Sequence, residues 1–141
     1  MAEPKPLRLL AQDADDLAII SAAVQDAVLR VGDIVFEPNA RRLTLALNRY
    51  RWESGDGERV RSGLQFAGVL KVQTRKVKRS APGAILELLA VSFTPAEPPG
   101  GTITFSFAGG ADLRAAVECV EGVMADVSRP WSAKHQPAHD V

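Results

Sequence analysis

Arg49 and Arg51, Arg59 and Arg61, and Lys71 and Arg75 are spaced by two or four residues. In an extended strand, alternate residues share a face, so each of these spacings aims both cations the same way. If the three segments pair in sequence order, the six cations gather on the solvent face of one sheet, and Lys76, Lys78 and Arg79 close the run. Such a surface captures carboxylates or phosphates electrostatically, which points to an acidic protein or a nucleic acid as partner. The plainer alternative is that strands need a polar outer face, that arginine stems cover a sheet well, and that the acidic segments neutralise part of the charge. Nucleic-acid binding would call for exposed aromatics among the cations. Tyr50 and Trp52 interleave with Arg49 and Arg51 but lie on the opposite parity, which assigns them to the core or its rim.

The other reactive side chains do not converge. His135 and His139 have the four-residue spacing of a helical metal site, but Pro137 lies between them in a polar stretch, and no metal site or buried Ser-His-Asp centre is expected there. Cys119 falls within a segment read as helix, away from the N-terminus that would favour a thiolate, and reads as a small buried hydrophobe. Asp13, Asp15 and Asp16 suit the capping and first turn of a helix, and Asp33 suits a turn. Gly109-Gly110 could offer amides to an anion at a helix start, yet two glycines without a lysine carry little phosphate signal. No cofactor is expected.

Composition bounds the rest. At 141 residues with 46% hydrophobic and 24% charged residues, the chain fits one ordinary globular domain. A domain of this size buries about 68–70% of its unfolded surface. The single cysteine rules out an internal disulfide and a cysteine-based zinc cage. No apolar run reaches the length of a membrane span, and the opening residues lack a signal-peptide pattern, so a cytoplasmic protein without membrane attachment is expected. The zero net charge is unevenly spread: residues 41–79 hold eleven Lys/Arg and three Asp/Glu, whereas each flank holds three Lys/Arg and seven Asp/Glu.

The elements that must position these groups follow from periodicity. Leu17, Ile20 and Val24 behind Asp13 predict a helix over 14–25. Val28 to Val31 and Ile34 to Phe36 predict strands about Gly32-Asp33, and Leu43, Leu45 and Leu47 predict another. The switch to Tyr50 and Trp52 predicts a bulge near 47–49. Ser54 to Gly57 reads as a hairpin connection; Val60, Leu64, Phe66, Leu70 and Val72 read as two strands broken at Gly68. Residues 85–93 read as a strand covered on both faces, and 102–107 as an alternating one. Leu113, Ala116, Val117, Val120, Met124 and Val127 predict a terminal amphipathic helix ended by Pro130.

Short connections favour an antiparallel meander. The expected fold is α+β: one domain over residues 1–131, an antiparallel, strongly twisted sheet or partly closed barrel with an N-terminal and a C-terminal amphipathic helix, of pleckstrin-homology-like architecture, followed by a mobile polar tail over 132–141. Asp13-Ala14, Asp16-Leu17-Ala18, Ile20-Ser21-Ala22, Gln25-Asp26-Ala27, Val31-Gly32-Asp33, Leu47-Asn48-Arg49, Trp52-Glu53, Leu89-Ala90-Val91, Phe107-Ala108-Gly109-Gly110 and Val117-Glu118-Cys119 together resemble an uncharacterised bacterial family, the domain of unknown function DUF2948. The resemblance spans residues 7–131 and implies a bacterial cytoplasmic protein; it brings no activity or catalytic residue with it. With a basic middle and no convergent catalytic set, a non-enzymatic binding module using Arg49, Arg51, Arg59, Arg61, Lys71 and Arg75 is the preferred expectation. The alternatives are a small-ligand carrier or enzyme with a pocket between sheet and terminal helix, walled by Tyr50, Trp52, Asp26 and Asp33, and a structural homo-oligomer paired through a strand edge.

Overall fold

A computed structural model describes residues 6–133. Strand β1 (Arg8–Ala11) leads to helix α1 (Ala14–Ala23). Asp13 caps this helix by accepting from the Asp16 amide at 2.8 Å, and Asp16 accepts in return from the Gln12 amide at 3.0 Å. Leu17 and Ile20 are the buried face of α1. Ser21 Oγ fastens the helix to the sheet by accepting from the Val91 amide at 2.9 Å. Asp26, in a left-handed conformation with φ 63°, turns the chain into β2 (Ala27–Arg30).

A 3-10 turn over Val31–Asp33 links β2 to β3 (Ile34–Glu37), and then come β4 (Arg42–Tyr50), β5 (Glu58–Phe66), β6 (Val69–Arg75), β7 (Ile85–Pro95) and β8 (Gly101–Phe107). The chain closes with β9 (Asp112–Val117), β10 (Gly122–Asp126) and the short β11 (Trp131–Ser132), which pairs with β5. All pairings are antiparallel, in the order β1-β10-β5-β4-β2-β7-β8-β9-β6, with β3 beside β4. The sheet is not closed, but it folds over on itself. Phe66 of β5 meets Phe105 of β8 edge to face at 5.7 Å, although four strand steps in a flat sheet would separate them by roughly 19 Å. Leu43, Leu45, Leu47, Leu64, Leu88, Ile103 and Leu113 fill the space between the layers in one continuous core.

Three expectations need correction. The stretch read as a terminal amphipathic helix is β9, a turn and β10, so the fold has one α-helix among the described residues and not the pleckstrin-homology-like arrangement. No bulge interrupts β4 near residues 47–49: its register with β5 runs unbroken from Leu43 opposite Phe66 to Tyr50 opposite Arg59. The register shifts fall instead at Leu70 of β6 and Leu89 of β7, and both leucines turn outward. Finally, β6 does not continue the meander beside β5. The Ala67-Gly68 turn crosses between layers alongside the 118–121 turn, joined to it by Ala67 N–H to Glu121 O and Glu118 N–H to Gly68 O, both 3.0 Å. Thus β5 pairs with β10 while β6 pairs with β9.

No helix among the described residues is long and apolar enough to cross a membrane. At the start of the segment expected to be a tail, Ser132 pairs with Glu58 and the Ala133 amide donates to Gly57 O; His135 and His139 lie outside the described residues.

Candidate functional site

The unbroken register of β4 sends Arg49 inward on the parity of Leu43, Leu45 and Leu47. Its side chain is 0% exposed. A guanidinium can occupy such a site only if every N–H finds an acceptor. Arg49 Nε and Nη2 donate to Asp126 Oδ1 and Oδ2, both at 2.8 Å; Nη1 and Nη2 donate to Glu53 Oε1 and Oε2 at 2.9 and 2.7 Å. Asp126 also accepts from Ser62 Oγ at 2.7 Å and from the Leu7 amide at 2.9 Å, so β4, β5, β10 and the segment entering β1 meet on one carboxylate. Burial pushes the Asp126 carboxyl up, but the hydrogen bonds from Arg49, Ser62 and Leu7 outweigh it and hold the group below the usual carboxylate range. The Arg49 hydrogen bonds lower Glu53 as well, against a smaller opposing effect of burial. Burial acts to lower Arg49, yet the two carboxylates raise it above the ordinary arginine value.

The neighbouring cations are likewise engaged. Arg51, 8% exposed, donates from Nη1 to Glu58 at 2.6 Å. Arg59 donates to the carbonyl oxygens of Asn48 at 3.1 Å and Asp26 at 3.4 Å and lies over the Tyr50 ring at 5.9 Å. Arg61 pairs with Asp33 at 3.3 Å and with Asn48 Oδ1 at 3.1 Å. The six cations therefore do not form one solvent face: Arg49 is internal, Arg51, Arg59 and Arg61 are held at the β4–β5 end, and Lys71 and Arg75 sit on β6, at the other end of the strand order.

The register around β6 assembles a different surface. Lys71 lies opposite Ala116, which lies opposite Thr102 and then Thr94; Gln73 lies opposite Arg114, then Thr104 and Ser92; Arg75 lies opposite Asp112, then Ser106 and Ala90. Directly opposed residues share a side of the sheet, so these twelve positions form one outer face. Lys71, Gln73, Thr94, Thr102, Thr104 and Arg114 line a shallow basin on it, of about 410 Å³. Among the twelve positions the cations are Lys71, Arg75 and Arg114, and the carboxylate is Asp112, 2.9 Å from Arg75 Nη2 and 3.8 Å from Arg114 Nη2. Arg114 escapes sequence reasoning because the stretch from Leu113 to Val127 reads as a helix. The threonines leave a clear signal, since Thr102, Thr104 and Ser106 alternate with the buried Ile103, Phe105 and Phe107.

The remaining candidates are placed as follows. Tyr50 is buried and meets Trp52 edge to face at 4.6 Å, while Trp52 Nε1 donates to Gln25 O at 3.1 Å. Asp33 accepts from the Arg30 amide in its turn, and Asp26 is buried at the α1–β2 corner. With β9 and β10 in place of a helix, the interface at which a ligand pocket is expected does not exist. Cys119 is half-buried in the β9–β10 turn, not in a helix. Gly109 and Gly110, with φ 83° and 80°, turn β8 into β9, so no helix start stands behind their amides. Among the described residues, no group of three or more His, Cys, Asp or Glu side chains could hold a metal ion.

Neither a curated protein nor a solved structure matches the chain. A family model described as a protein of unknown function, DUF2948, matches residues 7–139. The chain belongs to the DUF2948 family.

Proposed function

We propose that the protein is a non-enzymatic binding module that engages an acidic protein segment through the outer face of β6, β9, β8 and β7. The observation that carries this reading is the imbalance among its twelve facing positions, where Lys71, Arg75 and Arg114 stand against Asp112. Arg49, Arg51, Arg59 and Arg61, named from sequence as part of the binding set, serve the β4–β5 end of the domain, and Lys71 and Arg75 remain in the proposed interface. The hydroxyls of Thr94, Thr102 and Thr104 supply donors for carboxylates that the cations draw in. An acidic protein is favoured over nucleic acid because none of the twelve facing positions is aromatic, and base stacking is what single-stranded nucleic acids find on such sheets.

The test is a titration at low and moderate salt with a glutamate- and aspartate-rich peptide, against a single-stranded oligonucleotide of equal charge. Saturable peptide binding that weakens with salt, and that Lys71→Glu with Arg114→Glu reduces at least about tenfold at unchanged melting temperature, is the expected result. Tighter binding of the oligonucleotide, or an affinity indifferent to the double charge reversal, overturns the proposal.

A further inference from the structure

The fold leaves a slot in its wall. β3 has a ladder partner only in β4, and β6 only in β9; among the described residues no ladder joins β3 to β6. Hydrogen bonds bracket the gap. Beyond the end of β3 the Val69 amide donates to Arg41 O, and before its start the Gly32 amide donates to Pro82 O, both at 2.9 Å. Between these stitches lies a cavity of about 330 Å³. Ile34 and Phe36 from one edge, Val72 from the other and Leu113 from β9 make its walls apolar; Thr74 and Arg79 are its polar groups.

Arg79 is exposed and donates from Nε to Thr74 Oγ1 at 3.3 Å, which sets its guanidinium beside the apolar walls. It forms no ion pair with any carboxylate among the described residues. The chain from Arg59 to Leu86 contains no Asp or Glu at all. An apolar cavity at the small end of the range for ligand sites, with one uncommitted cation, complements a small molecule with an apolar body and a single negative head.

From this geometry we infer that the β3–β6 slot is a binding site for a small amphiphilic carboxylate, with the carboxylate on Arg79 and Thr74 and the apolar body against Ile34, Phe36, Val72 and Leu113. The site is separate from the outer face of β6 and β9 and stands or falls without it.

Straight-chain carboxylates of six, eight and ten carbons, with decanol as the uncharged control, test it by calorimetry and amide chemical shifts on the full chain. Each added pair of methylenes should tighten binding about tenfold until the slot is filled, with shifts centred on residues 31–36 and 72–79. Arg79→Gln, on an exposed loop and so harmless to folding, should weaken decanoate at least about tenfold and leave decanol unchanged. Val72→Phe, which fills the slot, should abolish both, whereas Lys71→Glu with Arg114→Glu should alter neither. Decanoate binding insensitive to Arg79→Gln, shifts spread over the whole surface, or no saturable binding below micelle-forming concentrations would each overturn the inference.

Discussion

Arg49 and Asp126 are joined side by side, Nε to Oδ1 and Nη2 to Oδ2, at 2.8 Å each, with the arginine side chain fully withdrawn from water. The pair locks β4 to β10, across the intervening β5, and through the Leu7 amide it also holds the segment entering β1. A fork-to-fork arginine pair with its remaining N–H groups on Glu53 and the Tyr50 carbonyl is fully satisfied, so its charges are tolerated inside.

Removing one partner should therefore cost more than removing both. Arg49→Met leaves the Asp126 carboxylate buried without its counter-charge, and a loss of about 3–5 kcal/mol is expected. Adding Asp126→Asn should recover part of that loss, because the stranded charge is gone while the amide oxygen still accepts from the Leu7 amide and the amide NH2 can donate to Ser62 Oγ. Urea midpoints of the two single variants and the double variant give the coupling directly; additive effects would mean that the pair contributes no interaction of its own.

The same network sets an acid limit. Asp126 and Glu53 are held below their ordinary values, so over the interval between their native and unfolded values the unfolded chain binds more protons. Their stabilisation is complete above about pH 5 and drains away as pH falls through about 4 and below. Arg49, raised above an already high ordinary value, holds its charge throughout the working range and contributes no alkaline loss there. Urea midpoints measured from pH 7 to pH 3 should fall at the acid end, and Asp126→Asn should flatten that fall. A wild-type profile level across this range would show that the carboxylates add nothing.

What could be read from sequence was set by how many structures each pattern admits. Asp13, Asp15, Asp16, Leu17 and Ile20 suit a capped helix and little else, and α1 begins where they indicate. Thr102 to Phe107 alternate so strictly that only a strand fits. The segment 113–124 is different. Leu113 and Val117 are four apart, as are Val120 and Met124, and four residues bring a side chain back to the same side of a helix and of a strand alike. The three-residue step from Val117 to Val120 looks helical but is the β9–β10 turn, where the buried parity changes. The basic face failed for a related reason: the change of apolar parity to Tyr50 and Trp52 implies a bulge that turns Arg49 outward, whereas Asp126 and Glu53, remote or turn-borne, let it stay inward. No local pattern reveals a partner 77 residues away.

Helix α1 gives a small, clean test. Asp13→Ala removes the acceptor for the Asp16 amide and should cost about 1 kcal/mol. Asp13→Ser, which keeps an acceptor, should restore most of it. Melting temperatures of the three proteins decide this; equal values would mean the cap is dispensable because Ser21 and the buried Leu17 and Ile20 hold the helix without it.

Gly122 distinguishes the two readings of the terminal segment by the sign of a single substitution. In the interior of an amphipathic helix, Gly→Ala should stabilise by up to about 1 kcal/mol. In β10, Gly122 lies directly opposite Phe66, and a Cβ there would come within 2.5 Å of Phe66 Cε1 and 2.7 Å of Cδ1. That ring cannot retreat easily, being fully buried and set edge to face against Phe105 across the core. Gly122→Ala should therefore destabilise by about 1–3 kcal/mol, the range for overpacking a filled core. Pairing it with Phe66→Leu, which removes the obstructing ring edge, should make the alanine far less costly than in the wild-type background. A stabilising Gly122→Ala would return the segment to a helix and remove β10, the Asp126 clamp and the β9–β10 turn together.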